Sequence, residues 1–146
     1  MKQLLLLFAC LAIVPVKGIP ERMPPYREIS SVEVVFTTTG GYKDDGTGLE
    51  IQFKNAAKEV MASKSGEFGK FEKNMTNAVD LSVQGEYSDK DLPNSTLNLH
   101  VIPNKSDNWN FDVDITIIWN NGNTTLVHSS GYSLAQNGND IEVSAF

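Results

Sequence analysis

The sequence has almost no cysteine, few histidines and too little positive charge for several classes of protein. Its one cysteine, Cys10, lies in the first eighteen residues, so the rest of the chain has neither a disulfide framework nor a thiol nucleophile. The two histidines, His100 and His128, are not spaced as zinc ligands. With 12 basic against 18 acidic residues and no basic stripe, the composition excludes a nucleic-acid-binding protein.

No hydrophobic run is long enough to span a bilayer, but a shorter one opens the chain. In MKQLLLLFACLAIVPVKG, Lys2 precedes an apolar segment, Leu4–Val14, and Val16 and Gly18 supply the small residues of a cleavage site. This layout predicts a secretory signal peptide over residues 1–18 and therefore a secreted, extracellular protein. Its removal from the 146 residues leaves 128, enough for a single domain, with a net charge of −8.

Asn-x-Ser/Thr triplets provide candidate N-glycosylation sites. If the exporting cell is eukaryotic, we expect these asparagines on exposed loops. The four positions are Asn74, Asn94, Asn104 and Asn123.

Most of the chain after residue 29 alternates apolar and polar residues with period two, which is typical of half-buried β-strands. Residues 19–29 contain three prolines and predict an extended arm, followed by one domain over residues 30–146. Strands are predicted around residues 32–36, 49–53, 79–83, 97–101, 113–119, 124–128 and 141–143.

Turn and helix signals complete the fold prediction. Asn120–Asn123 is a tight hairpin signal, because Asn and Gly accept positive φ. Residues 56–63, AAKEVMAS, are the only candidate for a helix, of one or two turns at most. The pattern therefore predicts an all-β fold, an antiparallel β-sandwich of about eight strands with at most one short helix.

The first candidate site is the glycine-rich connection Thr39–Gly48, which carries two adjacent carboxylates, Asp44 and Asp45. It is not a phosphate-binding P-loop, because no Gly-Lys-Ser/Thr follows. Its backbone carbonyls and carboxylates are the hard oxygen ligands that Ca²⁺ prefers. The alternative is that Asp-Asp-Gly simply forms a turn.

The second candidate site is the segment Asp107–Asp112, in which polar residues surround Trp109. Trp109 either contacts a ligand or is a buried residue that anchors the entry of a strand. In the second case Asp107, Asn108 and Asn110 are turn formers.

Both segments support a resemblance to a known family. VEVVFTTTGGYKDDGTGLEIQF resembles the opening of a PLAT/LH2-type β-sandwich, and DNWNFDVDITIIW is similar to a later step of that family. The resemblance implies a sandwich whose two Asp-bearing loops lie at one end, where members often bind Ca²⁺ and dock on membranes, lipids or proteins. The calcium ligands that it implies in this chain are Asp44, Asp45, Asp107 and Asp112.

Catalytic signals are few. There is no G-x-S-x-G motif, and His100 alternates with Leu99 and Val101, so both histidines are predicted to be surface residues. The leading hypothesis is a secreted, non-enzymatic module that binds lipid, glycan or a protein partner through one loop end. The alternatives are an effector, venom or defence protein that uses the sandwich as a scaffold, and a small secreted hydrolase. The aromatic residues available to a ligand are Tyr42, Trp109 and Phe111.

Overall fold

The computed structural model describes residues 26–104 and 108–146. The predicted signal peptide, most of the predicted arm and Asp107 lie outside the described residues. The described chain forms eight antiparallel strands and a short 3₁₀ helix, Asp89–Asp91, so the all-β prediction is confirmed. The strands are β1 (Ile29–Gly41), β2 (Gly48–Lys54), β3 (Val60–Gly66), β4 (Thr76–Val83), β5 (Thr96–Ile102), β6 (Asn108–Trp119), β7 (Thr124–Ala135) and β8 (Asp140–Ser144).

Hydrogen bonds join the eight strands in the order β7-β6-β1-β4-β3-β2-β5-β8. The link between β3 and β4 consists of two residue pairs, Ala62↔Val83 and Ser63↔Ser82. It divides the sheet into a first half, β7-β6-β1-β4, and a second half, β3-β2-β5-β8. The inner faces of both halves enclose one hydrophobic core, and the outermost strands, β7 and β8, approach each other.

Alternation explains which side chains form this core. Val32, Val34 and Phe36 on β1 are fully buried, and every second residue of β6 from Trp109 to Trp119 is buried as well. Each buried aliphatic or aromatic side chain contributes about 1.5–3 kcal/mol relative to an exposed one. A core of this size holds the domain together without disulfides.

The helix candidate at residues 56–63 is not helical, because this segment enters β3 through a hairpin turn. The amide of Lys58 donates to Asn55 O at 2.9 Å, and Lys58 has a positive φ of 65°. A β-bulge between Phe53 and Lys54 then shifts the register of β2 against β3. The bulge makes two successive residues of β3 buried, which hides the period-two signal.

The hairpin turn predicted at Asn120–Asn123 is confirmed. Trp119 N donates to Asn123 O at 2.9 Å, and Gly122 has a φ of 82°. β1 begins at Ile29, the last residue of the predicted arm, and the side chain of Ile29 is buried. Glu28 also forms a β-bridge with Ser88, so the last residues of the predicted arm pack against the domain.

Candidate functional site

The connections after β1, β3, β5 and β7 leave the sheet at the same end, which we call the loop end. They comprise residues 42–47, 67–75, 103–107 and 136–139, of which 105–107 are not described. Two close approaches join the first candidate segment to the start of β6 and to the connection before it. A Cβ on Gly41, which has a φ of 63°, would lie 2.1 Å from Asn108 O, and one on Gly46 would lie 2.5 Å from Asn104 Nδ2. Glycine is therefore needed at position 41, where the atom that a Cβ would meet belongs to the backbone.

A buried lysine fixes the connection after β1 to the connection after β3. Lys43 is fully buried, and its Nζ donates to Gly69 O at 2.7 Å and to Asp44 O at 2.9 Å. Its backbone and that of Phe71 exchange two hydrogen bonds, and the ammonium lies 5.1 Å from the Phe71 ring centroid. Burial lowers the pKa of Lys43 to about 8, although the charges of Asp45, Glu67 and Asp44 oppose this shift.

A buried glutamine fixes the same loop to the connection after β7. Gln136 Nε2 donates to Tyr42 O at 2.7 Å, and Gln136 Oε1 accepts from Asp44 N at 2.9 Å. The amide thus satisfies a donor and an acceptor of the first loop with one side chain. Lys43 and Gln136 together link three of the four connections at the loop end, those after β1, β3 and β7.

Four aromatic side chains of the core pack together at the loop end. They are Phe36, Phe71, Trp109 and Phe111. The ring centroid of Phe36 lies 5.9 Å from that of Phe71 and 5.2 Å from that of Trp109. Trp109 stacks on Phe111 with a centroid distance of 4.2 Å, and its Nε1 donates to Thr38 Oγ1 at 3.0 Å. Such ring pairs contribute about 0.5–1.5 kcal/mol each beyond their buried area.

The solvent-facing side of the loop end presents an aromatic ring and both signs of charge. Tyr42 is 38% exposed, and Lys70 Nζ lies 4.8 Å from its ring centroid. Asp45 is exposed in the turn that follows Tyr42 along the chain. These groups are available to a ligand without rearrangement of the backbone.

The aspartates predicted as calcium ligands have separate roles. Asp44 O accepts from Thr47 N at 3.2 Å, so the turn interpretation of Asp-Asp-Gly is confirmed, and the Asp44 side chain is buried. Asp112 lies on β6, where its Oδ1 accepts from Gly131 N at 2.8 Å. Across residues 26–104 and 108–146, no group of three or more His, Cys, Asp or Glu side chains could hold a metal ion. The calcium site stays a prediction, because Asp107 lies outside the described residues.

Two of the aromatic residues predicted as ligand contacts belong to the core. Trp109 and Phe111 are both fully buried, so neither ring is accessible to a ligand, and this part of the site prediction is wrong. The alternative interpretation, a buried Trp109 that anchors the start of a strand, is confirmed, but Asn108 and Asn110 pair with β7 as residues of β6 and are not turn formers. Tyr42 alone of the three is on the surface.

Both histidines are exposed, as predicted, and each contacts an aspartate on the neighbouring strand. His100 Nδ1 is hydrogen-bonded to Asp140 Oδ1, and His128 Nδ1 lies 2.6 Å from Asp114 Oδ1. Within the described ranges neither ring is hydrogen-bonded to a Ser, Thr or Tyr hydroxyl. The arrangement orients each imidazole but supplies it with no nucleophile.

A shallow depression of about 190 Å³ lies on the outer face of the second half. Glu50, His100 and Asp140 form one row across β2, β5 and β8, and Gln52 and Asn98 begin the next row. The side chains hydrogen-bond to one another, Gln52 to Glu50 and His100 to Asp140. This volume lies below the usual size of ligand pockets, about 300–1,000 Å³.

Sequence reasoning missed the two residues that fix the loop end. Lysine and glutamine are mostly exposed in proteins, so nothing in the pattern around Lys43 or Gln136 predicts burial. Gln136 contacts Asp44 across 92 positions of the chain. The only available signal was the glycine-rich context of the first loop.

No protein family, curated protein or solved structure matches this chain. The resemblance to PLAT/LH2 domains therefore stays a prediction. In the residues that the structure describes, no helix has the length and apolar character needed to cross a membrane.

Proposed function

We propose that this protein is a secreted, non-enzymatic binding module that recognises a lipid, glycan or protein partner through its loop end. The observation that carries the proposal is the buried ammonium of Lys43 in the loop that also presents the exposed side chains of Tyr42 and Asp45. Burial of a charged group costs free energy even when it is hydrogen-bonded. Holding this loop in one conformation therefore lowers the stability of the fold. Such a cost is expected where a surface binds a ligand.

A fixed loop lowers the cost of binding, because less conformational entropy is lost when the ligand docks. Tyr42 supplies a ring that stacks on a sugar or inserts at a lipid surface. Lys70 and Asp45 supply a donor and an acceptor beside it.

N-glycosylation belongs to this proposal, since all four candidate asparagines are exposed. Asn74 and Asn104 lie in connections at the loop end, and Asn94 and Asn123 lie at the opposite end. Glycans at the first two would flank the loop end. Binding is therefore to be measured with the protein as purified and again after enzymatic deglycosylation.

The test is a binding screen with defined probes. The protein is applied to a glycan array and to phosphatidylcholine vesicles with and without phosphatidylserine, in EDTA and then in millimolar Ca²⁺. The predicted calcium site stays a hypothesis that the second condition tests. A hit in either condition identifies the ligand class for the variants below.

Two tyrosines form a matched pair for this screen. Tyr42→Ala removes the exposed ring at the loop end, and Tyr26→Ala removes one that is 44% exposed at the opposite end. We expect Tyr42→Ala to weaken binding about tenfold, as hot-spot aromatic residues do, and Tyr26→Ala to leave it unchanged. Equal effects, or a larger effect at Tyr26, would contradict the assignment of the loop end.

A further inference from the structure

Among the residues that the structure describes, no strand is hydrogen-bonded to the outer side of β7, the outermost strand of the first half, although β8 approaches it. β7 pairs with β6 over its length, and no strand of residues 26–104 or 108–146 pairs with it along Thr124–Ser130. Trp119 N donates to Asn123 O, and hydrogen-bonded pairs alternate along an antiparallel ladder. The backbone groups of Thr125, Val127 and Ser129 therefore face β6, while those of Leu126 and His128 point to the open side.

The two edges of the sheet are protected to different degrees. β8 has five residues, and its Asp140 and Glu142 are charged, which discourages pairing with another strand. The free edge of β7, Thr124–Ser130 (TTLVHSS), has seven residues without Lys, Arg, Asp, Glu or Pro. It thus lacks most of the devices by which proteins block an edge, and Leu126 on it is 65% exposed.

The core is incompletely covered along this free edge. Val127 faces inward opposite Ile115, yet it is only partly buried, as is Ile141 on β8. Tyr132 likewise packs against the core without being enclosed. An added strand beside β7 would place alternate side chains over these residues and bury apolar surface in addition to forming backbone hydrogen bonds.

The charge of the first half indicates what kind of strand fits. Its four strands contain no lysine or arginine. Their outward positions carry four carboxylates, and Glu33 lies directly opposite Asp80 across β1 and β4, a destabilising arrangement of like charges. The carboxylates are Glu33, Asp80, Asp112 and Asp114.

We propose that the free edge of β7 binds an extended segment of a basic partner protein, which pairs as a ninth strand with apolar residues facing inward and Lys or Arg facing outward. A second copy of this chain fits less well, because edge-to-edge pairing would join two acidic faces. The site is separate from the loop end.

The probe is a fluorescein-labelled heptapeptide of alternating Lys and Val, with an alternating Glu and Val peptide as its charge control. Fluorescence anisotropy measures binding to the purified protein at low salt, and hydrogen exchange locates the contact. We expect binding of the Lys–Val peptide that weakens with salt, with slowed exchange of the amides of Leu126 and His128.

Variants distinguish an effect of the β7 edge from a general effect of added positive charge. Val127→Lys places an inward charge on the edge, and Leu126→Pro removes an outward-facing donor without removing a bond to β6. Val35→Lys makes the same chemical change as the first variant on an interior strand of the same half. Both edge variants should weaken binding about tenfold while Val35→Lys has a smaller effect, and thermal unfolding verifies that each variant is folded.

Three results would overturn the proposal. One is equal binding of the Glu–Val and Lys–Val peptides, and another is a peptide footprint away from β7. The third is concentration-dependent dimerisation that Val127→Lys abolishes, which would identify the occupant as a second copy.

Discussion

The two ends of this domain carry the same exposed chemistry but differ in what lies beneath it. At the loop end Lys70 Nζ lies 4.8 Å from the ring of Tyr42, and at the opposite end Lys90 Nζ lies 3.8 Å from the ring of Tyr26. Of the described residues, the only charged ones that are buried, Lys43 and Asp44, both lie at the loop end. The exposed residues around Tyr42 and Tyr26 are alike. The buried charged residues beneath the surface are what distinguish the two ends.

The largest expected difference concerns the two tryptophans at the ends of β6. Trp109 contacts the rings of Phe36, Phe71 and Phe111, while Trp119 has the guanidinium of Arg27 at 4.8 Å from its ring. We expect Trp109→Ala to lower the free energy of unfolding by about 3–5 kcal/mol. Trp119→Ala should cost less, because fewer ring contacts are lost.

Denaturant unfolding of the two alanine variants checks this ranking. An equal or greater loss of unfolding free energy for Trp119→Ala would contradict this ranking. It would show that the aromatic rings around Trp109 do not make the loop end the more stable of the two ends.

The next effect is a pH dependence that comes from Lys43. Its pKa is about 8 in the fold, against 10.5 for a free lysine, so the unfolded chain binds more protons between these values. The penalty for burying the ammonium is therefore present in full below pH 8. Stability should rise as the pH increases from 8 towards 10.5, as far as this residue contributes.

The comparison that isolates Lys43 is between the wild type and Lys43→Met, with Lys64→Met as an exposed control. The free energy of unfolding is measured across this alkaline range for all three proteins. Lys43→Met should lose the alkaline gain, and Lys64→Met should keep it. A wild-type profile that matches that of Lys43→Met would remove the evidence for a buried ammonium.

A smaller loss is expected when the second support is removed. Gln136→Ala removes the hydrogen bonds that Gln136 makes with Tyr42 O and Asp44 N, at a cost of about 1–3 kcal/mol. Gln84→Ala is the matched control, because the amide of Gln84 is exposed where it contacts Ser82 O. Thermal unfolding should show a clear decrease in Tm for the first variant and almost none for the second. Similar Tm values for both variants would mean that Gln136 does not fix the loop.

The sequence predicted those parts of the fold in which one local rule acts alone. Strict alternation located β1, β2, β5 and β6, and Asn and Gly located the turn before β7. β3 was missed because a bulge in its pairing interrupts the alternation. For Trp109 both interpretations were open, since burial depends on rings that come from distant segments.

The sequence predicted which segments form the candidate site, but it did not predict the buried residues that hold those segments together. The glycine-rich first loop and the segment Asp107–Asp112 were both recognised, and the described part of the second, which forms the start of β6, does lie beside the first. The contact between Gln136 and the first loop joins positions 92 residues apart, and nothing local marks either partner. The free edge of β7 was equally hidden, because alternation does not reveal the order of strands in a sheet.

The central claim is that buried polar groups hold the loop end in one conformation, and hydrogen exchange tests it most directly. In the wild type, the amides of Lys43, Asp44 and Phe71 should exchange as slowly as those in the middle of the core strands. In Gln136→Ala, exchange at Asp44 should become faster while Asp89, at the opposite end, is unchanged. Fast exchange at all three loop-end amides in the wild type would contradict the account.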